Sequence, residues 1–61
     1  MNMITKIRKE KGWSKTRLGI ESGIHPATIG KIEAGLVLLY PGWRKAISKA
    51  LEVDEKELSK E

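Results

Sequence analysis

The side chains able to do chemistry in this chain are mostly cations, and they are unevenly placed. Before position 36, Lys6, Arg8, Lys9, Lys11, Lys15, Arg17 and Lys31 stand against Glu10, Glu21 and Glu33 alone. From Leu36 onward five bases balance five acids, so the formal net charge of +4 belongs to the N-terminal half. A field of that sign attracts phosphates through counterion release and speeds encounter with nucleic acid. It equally suits a solvated face that keeps a small protein soluble, and charge alone leaves the two open.

Catalytic chemistry finds little footing. His25 is the only histidine and cysteine is absent, so no metal site of ordinary ligand count and no disulfide framework can be written. Ser14, Ser22, Ser48 and Ser59 lack a plausible base, and the glycines are spaced as helix stops rather than as a phosphate-binding loop. The chain reads as a non-enzyme with no cofactor and no evident small-molecule ligand. The lack of cysteine points to a reducing, cytoplasmic setting. The longest apolar run, Leu36 to Tyr40, is far too short to span a bilayer, and no signal-peptide layout precedes it.

The elements that must position these cations are helical. With 61 residues, 33% charged and 39% hydrophobic, the chain suits one small globular domain, 1–61, rather than a disordered tail. Ile4 and Ile7 lie at helical spacing, predicting a first helix over Asn2 to Lys11 with Gly12 as its stop. Ser14 is a good N-cap for a second helix, Lys15 to Ser22, ended by Gly23. Pro26 falls in the first turn of a third helix running to Ala34, with Gly35 behind it. A fourth helix is predicted over Gly42 to Leu51, burying Trp43, Ile47, Ala50 and Leu51. Asp54 and Glu57 suggest a capped last turn ending near Ser59, with Leu58 folding back. The expected fold is all-α: a bundle of four short helices plus a terminal turn.

Two short helices joined by a tight turn at Gly23, over Ser14 to Gly35, match a helix-turn-helix, in which the second helix enters the major groove of DNA. Across that span Leu18, Gly23, Ile24, Ile29, Ile32, Glu33 and Gly35 fall in one register, which resembles the lambda-repressor/Cro-type (xenobiotic-response-element-like) helix-turn-helix family. Arg8 also falls in register, where the family often carries an arginine paired with the glutamate that matches Glu33. The resemblance extends to Pro41 and Leu51. It implies a DNA-binding regulator, a repressor, that places helix 26–34 on double-stranded operator DNA as a homodimer.

By matching positions, the resemblance puts Lys15 at a phosphate and Pro26, Ala27, Thr28 and Lys31 on the groove side of the third helix. Arg17 joins this basic set. Lys31 is the best base reader, by donating to guanine acceptors; Thr28 can donate to a phosphate or a base, and Ala27 can touch a thymine methyl. His25 is open between a phosphate contact and a cap, and Pro26 starts the helix rather than reading a base. Arg8 with Glu33 reads as a structural ion pair. Trp13 and Trp43 read as core rather than as stacking platforms.

The sequence departs from the family in three places. Lys15 stands where glutamine is common. Gly19 replaces the usual alanine and Gly30 interrupts the third helix, each at about 1 kcal/mol relative to alanine. The loop Leu36, Val37, Leu38, Leu39, Tyr40 is apolar where the family is polar or basic. Five such side chains cannot all be buried in so small a domain, so either some cap the core or the loop forms a patch for a partner or a second copy. A dimer contact is the expectation, and Ile20 could extend it. The alternative function is a protein-interaction module that keeps the fold, uses loop 36–40 and binds DNA weakly or not at all.

Overall fold

A computed structural model describes residues 2–58, and its helices start and stop where capping chemistry dictates. Helix α1 is Met3–Glu10, α2 Lys15–Ser22, α3 Pro26–Glu33, α4 Pro41–Leu51 and α5 Glu55–Leu58. Among the described residues there is no strand. The all-helical architecture is the one expected, with a single-turn helix, α5, where a terminal turn was anticipated. Asp54 Oδ1 accepts from the Lys56 amide at 2.9 Å to start it. The expected end near Ser59 lies outside the described residues.

The boundaries that differ from expectation do so by one residue, each for a local reason. Asn2 lies just outside α1, because its Oδ1 accepts from the amides of Ile4 (2.7 Å) and Thr5 (3.4 Å) as an N-cap. Lys11 is the C-cap rather than the last helical residue. Helix α3 ends at Glu33, not Ala34: the Leu36 amide reaches back to the Lys31 carbonyl at 2.9 Å and the Gly35 amide to Ile32 at 3.1 Å. That pair of bonds is a Schellman closure, which places Gly35 at φ +76°. Helix α4 begins at Pro41 rather than Gly42, since proline fits the first helical position, where no amide donor is needed. Its far end closes the same way with Glu52 at φ 59°, so the left-handed cap there is made without glycine.

Helix α2 packs on α3 and α4, while α5 bridges α4 and α1. The core is Ile4, Ile7, Leu18, Ile24, Ile29, Ile32, Ile47, Leu51 and Leu58. Each such side chain contributes about 1.5–3 kcal/mol when fully withdrawn from water. The periodicities read from the sequence are thus the buried faces. Trp13, Trp43 and Ala50 are half-buried against this core, at its margin rather than inside it. Leu58 does fold back, buried beneath the last turn. Among the described residues no buried side-chain nitrogen or oxygen lacks a partner. Among the described residues no helix is long and apolar enough to cross a membrane.

Segment 36–40 divides by alternation. Val37 and Leu39 turn inward onto the core. Leu36, Leu38 and Tyr40 point outward, with 74%, 73% and 53% of their surface exposed. This alternation explains why the loop caps the core and presents an apolar surface at once. Tyr40 meets Trp43 edge to face, with ring centroids 5.2 Å apart.

Candidate functional site

The site is built from α2, the turn after it and the outward face of α3. Ser14 Oγ accepts from the Arg17 amide at 3.0 Å and fixes the start of α2. At the other end Gly23 adopts φ +76°, a left-handed conformation for which glycine carries no Cβ penalty. The amides of Gly23 and Ile24 both donate to the Gly19 carbonyl, at 2.8 and 3.1 Å. The turn then drives Ile24 into the core. His25 caps the next helix: its Nδ1 accepts from the Ala27 amide at 3.0 Å, directly ahead of Pro26.

Gly19 has a packing reason that its helix propensity conceals. A Cβ built there would lie 2.6 Å from the Ile24 carbonyl oxygen and 3.0–3.1 Å from Cγ and Cδ of Pro26. The missing side chain is what lets the turn and the proline ring close onto α2. Pro26 is therefore half-buried against α2, a start for α3 and a packing surface together. Gly30 is different. Nothing approaches a Cβ there except Cδ and Nζ of Lys15, at 4.0 Å.

On α3, Ile29 and Ile32 face the core while Ala27 and Lys31, one turn apart, are exposed; Thr28 and Gly30 are half-buried at the flanks. Lys15 is exposed, and its side chain lies across α3 beside Gly30. The structure thus gathers Lys15, Ala27, Thr28 and Lys31 around one helix face. Arg17 is held elsewhere: it pairs with Glu21 at 3.0 Å and stacks on Trp13 with its guanidinium carbon 4.6 Å from the ring centroid. Lys11 approaches that indole too, at 5.7 Å. Arg17 and Trp13 line an open cleft shared with Ala46 and Lys49 of α4.

A buried ion pair fixes this face to the rest of the domain. Arg8 donates from Nε to Glu33 Oε2 at 2.8 Å and from Nη2 to Oε1 at 2.9 Å, a bidentate fork. Its Nη1 donates to the Trp13 carbonyl at 2.8 Å. The two side chains are only 8% and 6% exposed. The hydrogen bond to Glu33 raises the Arg8 pKa, against the opposing effect of burial. Burial pushes the Glu33 carboxyl up, yet hydrogen bonds from Arg8 and Thr5 and the charges of Arg8 and Lys15 together carry it below its ordinary value. Asn2 adds a second tie between α1 and α3, donating from Nδ2 to the Ile32 carbonyl at 3.3 Å. Sequence reasoning missed Asn2 and Thr5 in this role. An asparagine just before the first apolar helical position was the available signal for the cap, but nothing local announced the reach to Ile32.

The apolar face lies at the C-terminal side of α3. Leu38 stands at the rim of an open groove of about 370 Å³ whose walls include Ile32, Val37, Leu39 and Leu58, with Arg44 at one edge. Arg44 is tied to Glu55 at 3.6 Å. Ile20 is 72% exposed on α2. No group of three or more His, Cys, Asp or Glu able to hold a metal occurs among the described residues.

Comparison with known proteins agrees with this geometry. A family model described as helix-turn-helix matches residues 4–38, more than half of the chain. No curated protein matches, and no solved structure matches.

Proposed function

Because the chain belongs to the lambda-repressor/Cro-like helix-turn-helix family of DNA-binding domains, we propose that it is a transcriptional repressor that lays α3 in the major groove of operator DNA as a dimer. The observation that carries this reading is the outward face of α3, tied to the rest of the domain by the turn and by the Arg8–Glu33 pair and exposed at Ala27 and Lys31. Lys31 donates to guanine acceptors, Thr28 to a base or phosphate, Ala27 meets a thymine methyl, and Lys15 neutralises a phosphate at the groove edge. Arg17, engaged by Glu21 and Trp13, adds to the positive field rather than to the contact. His25 orders the helix start. The face offers few hydrogen-bonding side chains, so sequence-dependent DNA shape supplies part of the specificity.

The test is a fluorescence titration of duplex DNA at several salt concentrations, with the preferred site first obtained by selection from random duplexes. Wild-type affinity should fall steeply with salt. Lys15→Ala should make the slope of log K against log salt shallower by about 0.9 on every sequence. Lys31→Ala should cost about 1–3 kcal/mol at the selected site and far less on random DNA. Salt-independent binding by the wild type would overturn the reading.

A second reading is favoured by the exposure of Leu36, Leu38 and Tyr40: the same fold serving as a protein-interaction module. Within the repressor reading these side chains form the dimer contact that joins two half-site readers. Leu38→Lys is then expected to shift sedimentation from dimer to monomer while leaving helicity intact. An unchanged sedimentation coefficient would remove loop 36–40 from the dimer.

A further inference from the structure

Two glycines interrupt helices at this site, and their surroundings are opposite. Gly19 is required by packing, because backbone and a proline ring occupy the space a Cβ would need. Gly30 is not. Its φ lies outside the left-handed range, and a Cβ there would meet only the Lys15 side chain, at the 4.0 Å of ordinary contact. A glycine inside a helix is less favourable than alanine through backbone entropy alone. At Gly30 the fold gains nothing in return.

What the absent side chain leaves free is the path of Lys15. The lysine starts at the first position of α2, crosses to α3 and sets its ammonium beside Gly30. From there its charge is felt by Glu33, one turn further along α3. A longer side chain at position 30 would occupy this path and send the lysine outward. Resting on the DNA-binding reading above, we infer that Gly30 is an affinity-determining residue of the interface: it keeps open the ledge on which Lys15 lies, so that the lysines of α2 and α3 flank the same stretch of duplex. Gly30 makes no contact of its own; it acts through Lys15.

The coupling is measured by a double-mutant cycle of Gly30→Leu and Lys15→Ala. On a random-sequence duplex, Gly30→Leu is expected to make the salt slope shallower by about 0.9, as Lys15→Ala does, and the double variant should be no shallower than either. Gly30→Ala, which leaves the lysine its path, should keep the wild-type slope while raising Tm by about 4–8 °C. A readout without DNA accompanies these. The Glu33 carboxyl, followed by NMR, should titrate higher in Gly30→Leu and in Lys15→Ala than in the wild type, and Gly30→Gln repeats the test with a polar side chain. Additive losses in the cycle, or a Glu33 titration unmoved by Gly30→Leu, overturn the inference while leaving the DNA reading intact. A wild type without salt-dependent binding fails the DNA reading itself and the inference with it, even where the Glu33 titration moves as expected.

Discussion

Replacing Glu33 with alanine is expected to destabilise the domain by about 3–5 kcal/mol, which is the scale for stripping one partner from a buried ion pair. A chain of this length has roughly 3–9 kcal/mol of total stability, so the variant should lose about half of it or more and unfold at a markedly lower urea concentration. The loss comes less from the attraction forgone than from the guanidinium left behind. Arg8 would keep its bond to the Trp13 carbonyl but lose both charge-assisted bonds to the carboxylate, in a site that water scarcely reaches. Replacing both partners together, Arg8→Met with Glu33→Leu, should recover much of the loss, because no buried charge then remains. Urea unfolding of the single and double variants decides it. A Glu33→Ala loss below about 1 kcal/mol would mean that the fork is open to solvent and contributes only as a surface pair does.

The same pair dictates how stability depends on pH. The Glu33 carboxyl titrates below its ordinary value of 4.5 in the folded chain, so over the interval beneath 4.5 the unfolded chain binds the extra proton. Stability therefore rises with pH across that interval. The contribution is complete above 4.5 and is lost as the pH falls through the folded value. Glu33→Gln should flatten this acid limb.

Helical period and punctuation made most of the fold legible. Leu18, Ile29, Ile32, Ile47 and Leu51 announce buried faces by spacing, and Gly12, Gly23 and Gly35 announce the stops, because both signals are local. The Arg8–Glu33 pair was readable only through a family register, since 25 residues separate its members. Contacts made by closure of the tertiary structure were not readable. Gly19 looks like a defect until the turn brings the Ile24 carbonyl and Pro26 against it. The placing of Arg17 over the Trp13 ring, beside Glu21, likewise depends on how the loop before α2 folds back. The split of residues 36–40 into inward Val37 and Leu39 and outward Leu36, Leu38 and Tyr40 depends on how the chain leaves α3 and turns into α4, which no run of apolar residues reveals.

Gly19→Ala sets a local rule against a tertiary one, and the tertiary one should win. Helix propensity alone predicts a gain of about 1 kcal/mol for alanine in the interior of α2. Against it stands a Cβ 2.6 Å from the Ile24 carbonyl oxygen, a distance at which something must move. The obstacle is backbone, so relief requires reopening the turn. The turn is pinned by the Gly23 and Ile24 amides on the Gly19 carbonyl and by Ile24 in the core. Overpacking of this kind typically costs about 1–3 kcal/mol, and here it also shifts α3 against α2. The expected result is a lower Tm together with weaker DNA binding, even at temperatures where the variant remains folded. Adding Pro26→Ala should restore only part of the stability, because it removes the ring contacts at 3.0–3.1 Å and leaves the carbonyl in place. A Gly19→Ala variant as stable as the wild type would show that α2 and α3 can separate without loss, and the close approach at Pro26 would then have no bearing on how α3 is presented.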